Sequence, residues 1–161
     1  MKDKIISLLR SNAKLTASEL AVNLNIPENE IAAAIAEMEN DGVIRGYTAI
    51  VSDEAPGSET RVKALIEVKV TPNRDGGFDR VARRIAKFPE VTDLCLLSGN
   101  YDLQLTVEGS SLQQVANFVS GKLATIDGVI STSTAFQLKR YKESGMIMQS
   151  DEEYERLKIC F

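Results

Sequence analysis

Apolar residues repeat at three- and four-residue spacing through the first part of the chain. Further on they repeat at every second position, with helical stretches between. Ile5, Ile6 and Leu9 mark a first helix. Thr16 and Glu19 form a T-x-x-E capping box in front of a second, short helix carrying Leu20, Ala21 and Leu24. Asn25-Ile26-Pro27 makes a turn, and Ile31, Ile35 and Met38 give a third, amphipathic helix. Gly42 stops that helix. Val43-Ile44 with Tyr47-Thr48-Ala49-Ile50 then predicts a narrow strand pair. Three helices with a β wing are a winged helix-turn-helix, a unit that usually reads DNA.

Ser52-Asp53-Glu54-Ala55-Pro56-Gly57-Ser58 is a polar break that reads as a linker, 52–60, between a domain over 1–51 and another over 61–142. In the second domain Val62, Ala64, Ile66, Val68 and Val70 alternate with Lys63, Leu65, Glu67 and Lys69, which predicts a strand. Phe78, Val81, Ala82, Ile85 and Phe88 sit at helical spacing, and Pro89 ends that helix. Val91 to Ser98 reads as a second strand, Gly99-Asn100 as a two-residue hairpin turn, and Leu103, Leu105 and Val107 as a third strand. Ser111 with Gln114 caps a helix bearing Leu112, Val115, Phe118, Val119 and Leu123. Asp127-Gly128 then leads into a last strand, Val129 to Arg140.

The order β-α-β-β-α-β predicts a ferredoxin-like sandwich, so the whole chain belongs to the α+β class. Val81-Ala82 before Val91 and Val115-Ala116 before Val129 form a weak internal repeat in support of it. Both helices should cover one sheet face. The other, with Leu65, is expected to be apolar and left for a second copy of the chain. In the tail, 143–161, Ser150 and Glu153 form another capping box. Tyr154, Leu157 and Phe161 give a stripe expected to pack as a short helix on its own subunit.

Composition narrows the chemistry. The 161 residues are 43% hydrophobic and 26% charged, ordinary for a globular protein, and the net charge of −4 supplies no overall basic footprint. No apolar run is long enough to span a bilayer, and the start MKDKIISLLRSNAK lacks the apolar core of a signal peptide. Cys95 and Cys160 form no disulfide framework. A reduced, cytoplasmic setting without membrane contact is expected. With no histidine, zinc sites and His-based triads are largely excluded. Glu67 and Asp102 lie on different strands without an evident shared cleft. The chain reads as no enzyme, with no cofactor and no metal site.

The helix after the turn is acidic. From Pro27 to Asp41 it carries Glu28, Glu30, Glu37, Glu39 and Asp41 and not one Lys or Arg. Over residues 1–50, Lys2, Lys4, Arg10, Lys14 and Arg45 stand against Asp3, Glu19 and those five acids, a net charge of −2. DNA affinity comes largely from cations that release counterions from phosphates, so Lys2, Lys4, Arg10, Lys14 and Arg45 are expected to carry it.

The chain resembles the leucine-responsive regulatory protein/AsnC family, the feast/famine regulators. The resemblance rests on ELAVNLNIPENEIAAAIAEMENDGVIRGYTAIV, with its Gly-Val-Ile-x-Gly-Tyr ending, and on LLSGNYDLQLTV, with its Gly-x-Tyr-Asp hairpin at Gly99-Asn100-Tyr101-Asp102. The linker's length and place also match, and the likeness covers residues 1 to about 142 by this order of elements. It implies a transcriptional regulator of double-stranded DNA, a homodimer or larger self-assembly, and an amino-acid effector.

Docked as in that family, Asn29, Ala33 and Asn40 face base edges, and only the two Asn offer a bidentate pattern to adenine. Relatives usually carry Arg or Lys where Ala33, Ala34, Ala36, Glu37 and Asn40 stand here. For the effector, the resemblance points to Asp102 for the ammonium. The N–H groups of Gly99 and Asn100, or the helix start near Ser110-Ser111, suit the carboxylate. Thr132 and Thr134 add hydroxyls. The plainer reading of Asp102 is a residue satisfying its own turn. The alternative function is an effector-binding or assembly subunit of the same family with weak DNA binding of its own.

Overall fold

A computed structural model of the chain describes residues 1–52, 61–72 and 77–148. The chain divides into two compact units, Met1–Val51 and a second beginning at Ser52.

The first unit holds α1 (Lys2–Ser11), α2 (Ala17–Leu24) and α3 (Glu28–Asn40). Ile5, Leu9, Leu20, Ile31, Ala34 and Met38 are buried between them, with Ile6, Leu24, Ile35 and Ile44 packed at the edges. This small core is what the three- and four-residue spacing demanded. The capping box forms as expected. The Glu19 N–H donates to Thr16 Oγ1 at 3.2 Å, and the Thr16 N–H donates to the Glu19 carboxylate at 2.8 Å. These Thr16 bonds, the backbone one first, hold the Glu19 carboxyl below its usual pKa. Asn25 takes a left-handed conformation (φ 54°) to end α2, a geometry Asn tolerates. At the end of α3 Gly42 has φ +69°. The Val43 N–H bonds back to the Met38 carbonyl at 2.8 Å and that of Gly42 to Glu39 at 3.0 Å, a complete Schellman stop.

The expected wing does not form a ladder: no strand pairing occurs over 41–50. Only Ile44 of this stretch packs on the core, whereas Val43, Tyr47 and Ile50 remain exposed. A two-stranded ribbon that buries so little is marginal on its own.

The second unit comprises β1 (Val62–Val70), α4 (Asp79–Ile85), β2 (Val91–Leu96), β3 (Leu103–Gly109), α5 (Leu112–Phe118), a widened π turn over Val119–Leu123, and β4 (Val129–Phe136). The antiparallel sheet has the order β2-β3-β1-β4, the ferredoxin-like arrangement. Ala64, Ile66, Val68 and Val70 of β1 and Leu103, Leu105 and Val107 of β3 point toward Val81, Ile85, Val115 and Phe118 of the helices. The Ala124 N–H bonds to the Val119 carbonyl at 2.8 Å, closing the π turn. Leu123 at its end and Ile126 beyond it return to the core, while Leu112 stays outside.

Several expectations change here. The last ladder pair of β2 and β3 is Leu96 with Leu103, and the Leu97 N–H still reaches the Asp102 carbonyl. The loop is therefore Ser98 to Tyr101, longer than a two-residue turn. The last strand ends at Phe136, before Arg140, and a small hairpin of β5 (Lys142–Glu143) and β6 (Met146–Ile147) follows.

The sheet face away from the helices is not apolar. Leu65 lies there among Thr106 and Ala135, but the neighbouring rows are Glu67 with Gln104 and Ser133, and Lys63 with Glu108. Strand alternation that buries the even positions of β1 necessarily sends Lys63, Glu67 and Lys69 out beside Leu65. Exposed apolar side chains gather instead along β4 and the hairpin, at Ile130, Phe136, Leu138, Met146 and Ile147. The Ser150/Glu153 box and the Tyr154, Leu157, Phe161 stripe lie outside the described residues, as does most of the linker.

Candidate DNA interface and effector site

Burial fixes the orientation of α3. Ile31, Ala34 and Met38 are fully or almost fully buried, so the opposite side of the helix faces away from the core. At about 100° per residue that side is Asn29, Ala33, Ala36 and Asn40. The structure thus brings the three expected base-edge residues onto one stripe and adds Ala36 to it. Ala34 is not on the surface, so it is no place for a DNA-facing cation.

The acids flank this stripe, Glu30, Glu37 and Asp41 on one side and Glu28 and Glu39 on the other. Two of them are engaged within the unit. Lys2 Nζ lies 2.7 Å from Glu37 Oε1, and the Tyr47 hydroxyl donates to Glu39 Oε1 at 2.8 Å. Partial burial, then the bond and charge of Glu39, raise the Tyr47 pKa above its ordinary value.

The expected phosphate-binding cations are scattered. Lys2 is spent on Glu37, while Lys4, Arg10 and Lys14 are exposed on and after α1. The Arg45 guanidinium folds back over the C-terminal end of α3, where a Cβ on Gly42 would meet Nη2 at 3.8 Å. That end of a helix favours a cation.

In the second unit Asp102 does not satisfy its own turn. Its Oδ2 accepts the Val70 backbone N–H at 2.8 Å, and its Oδ1 accepts from Lys69 Nζ at 3.2 Å. Its own N–H donates to the Val68 carbonyl at 3.0 Å. The Val70 bond, then Lys69, hold its carboxyl below the usual aspartate range. The Val70 N–H meets Asp102 because it lies on the same edge of β1 as the Val68 carbonyl, the edge that pairs with β3. Lys69 also donates to the Asn100 carbonyl at 2.9 Å, tying the exposed Gly99-Asn100 loop and half-buried Tyr101 to the end of β1.

Thr132 and Thr134 are elsewhere. They stand opposite Val68 and Ile66, both buried under the helices, and therefore share the helix side of the sheet. Asp102 and Lys69 occupy the other side. One protomer does not gather the six expected effector residues into one pocket. A cavity of about 210 Å³ beside α4 and β2, lined by Phe78, Ala82, Arg83, Ala86, Leu94 and Leu96 among others, includes none of them. Lys69 was missed because its parity is legible in the strand pattern but its partner depends on register. Among the described residues no cluster of Cys, Asp and Glu suits a metal ion, and no helix is long and apolar enough to cross a membrane.

Comparison with known proteins agrees with both units. Residues 4–45 match the winged helix-turn-helix DNA-binding model, and residues 63–147 match the Lrp/AsnC ligand binding domain. The HTH-type transcriptional regulator YugG of Bacillus subtilis is 39% identical over 156 residues, 97% of this chain and 94% of that one. The HTH-type transcriptional regulator PH0140 of Pyrococcus horikoshii is 32% identical over 131 residues, 81% and 80% of the two chains. Among solved structures, the transcriptional regulator NMB0573 of Neisseria meningitidis, in complex with L-methionine, superposes with a TM-score of 0.69. It is 26% identical, with 88% of this chain and 90% of that one covered. The chain belongs to the Lrp/AsnC family of helix-turn-helix transcriptional regulators.

Proposed function

We propose that this protein is a cytoplasmic regulator that reads duplex DNA through the Asn29, Ala33, Ala36, Asn40 stripe and changes its DNA binding when an amino acid occupies the second domain. The stripe is the observation that carries this reading. It is neutral and small, so the helix can lie close in a major groove, and two asparagines spaced eleven residues apart present bidentate groups from one face. Lys4, Arg10, Lys14 and Arg45 bind phosphates, and so few cations in one domain require domains to act in pairs.

A second copy of the chain supplies that pairing. Ile130, Phe136, Leu138, Met146 and Ile147 are exposed along an edge strand and its hairpin, an apolar surface suited to self-association. The amino acid effector rests on the likeness to the regulator solved with L-methionine. Asp102, Gly99, Asn100 and Tyr101 supply its polar partners at the β2–β3 loop. Because Thr132 and Thr134 face the other way, they join that site only as residues of a different protomer.

The alternative, a subunit with little DNA binding of its own, is favoured by one observation: α3 carries no Lys or Arg. The test is fluorescence anisotropy on a duplex selected by this protein from a random pool, titrated against a panel of amino acids. Selection of a defined sequence, with at least one amino acid shifting its affinity several-fold, supports the regulator. Failure to select any duplex removes the DNA reading and leaves the subunit.

A further inference from the structure

A regulator that binds DNA through an acidic helix needs cations from elsewhere, and the second unit holds them. Arg80, Arg83, Arg84 and Lys87 recur at three- and four-residue spacing along α4 and the turn after it, so they share one face. Val81 and Ile85, on the opposite face, are buried against the sheet, and the four cations are exposed. Only Asp79 on this helix is acidic, and it approaches Arg83 no closer than 3.9 Å. Arg80, Arg84 and Lys87 have no ion pair among the described residues.

Elsewhere the cations of this unit are largely neutralised. Lys63 pairs with Glu108, Lys69 with Asp102, Lys122 with Glu90 and Arg140 with Glu143. A solvated face of mixed sign is the usual outcome for surface charge, and α4 departs from it. The first unit, by contrast, is net negative and its reading helix has no cation.

We infer that the Arg80, Arg83, Arg84, Lys87 face of α4 is a second DNA-binding surface, which holds the phosphate backbone of duplex DNA. The inference rests on the DNA-binding reading above. Phosphates are the partner of fitting chemistry: guanidinium groups bind them bidentately, and a row of unpaired cations gains affinity by releasing their counterions. Bonds of this kind carry no sequence information, so α4 adds affinity and α3 keeps the specificity.

The experiment uses the full chain with Arg80→Gln, Arg84→Gln and Lys87→Gln together. A control carries the same charge change at Arg61→Gln, Lys63→Gln and Lys139→Gln. Anisotropy with the selected duplex and a scrambled one is measured between about 50 and about 200 mM salt. The α4 variant should lower the slope of log affinity against log salt by about 0.9 for each phosphate it no longer neutralises, and weaken both duplexes equally. The control should keep the wild-type slope. An α4 variant with the wild-type slope, or one no different from the control, overturns the inference while leaving the DNA reading intact. A changed particle mass by light scattering overturns it too, because the face is then an interface between subunits. If the wild-type chain binds neither duplex, the DNA reading itself falls and this inference falls with it.

Discussion

The backbone N–H of Val70 donates to Oδ2 of Asp102 across 2.8 Å, joining the end of β1 to the start of β3. The residue that the family pattern marks for a ligand is thus also a latch inside the sheet. Its folded-state pKa is depressed, so it contributes stability that is fully present above its unfolded value, about pH 4, and is lost as pH falls through the lower folded value. Asp102→Asn should therefore melt at a lower temperature than wild type at neutral pH and show a flatter loss of stability below about pH 4. Thermal melts across that range check this, and parallel curves for the two proteins would contradict it.

Lys2, one of the cations proposed to meet phosphates, is paired with Glu37 on α3. Both side chains are substantially exposed, so losing the pair costs only about 0.2–1 kcal/mol of stability. Replacing Glu30 and Glu37 with Lys should strengthen binding to any duplex and steepen the salt slope by about 1 for each phosphate newly engaged. Titration of selected and scrambled duplexes checks it. Unchanged affinity for both would mean that this flank of α3 does not approach DNA.

A Cβ on Gly42 would meet nothing closer than the Arg45 guanidinium at 3.8 Å, so Gly42→Ala tests conformation alone. At φ +69° the alanine should cost about 1 kcal/mol. Hydrogen exchange at the Val43 and Ile44 amides, whose bonds to Met38 close the helix, should quicken accordingly. Unaltered exchange would show that the stop is not holding the end of α3.

Leu138 and Ile147 are among the most exposed apolar side chains in the second unit. Leu138→Lys with Ile147→Lys should convert the wild-type assembly to monomers, read by light scattering at micromolar concentration, while circular dichroism stays unchanged. A wild-type monomer would sink the claim of self-association.

Local chemistry was readable in the chain. Thr16 and Glu19, Gly42, and the alternation of Ala64, Ile66, Val68 and Val70 each depend on neighbours within a few residues, and each formed as expected. Features set by pairing were not readable. The register of β4 on β1 decides that Thr132 and Thr134 face the helices, and the pairing of β1 with β3 brings the Val70 N–H to Asp102. The wing segment lacks strand pairing over 41–50, where Val43 and Tyr47 are exposed and have little to pack against. Leu65 does not make an apolar face, because it stands between Thr106 and Ala135 and the rows on either side of it are polar or charged.

The neutral stripe of α3 is proposed to read bases despite its acidic flanks. The most direct test is Asn29→Ala with Asn40→Ala, compared with wild type on the selected duplex and a scrambled one over a range of salt. Removing the bidentate groups should cost about 1–3 kcal/mol of discrimination for each asparagine that meets an adenine, with the salt slope unchanged. Full retention of the preference for the selected duplex would contradict the account, because the bases would then be read by some other surface.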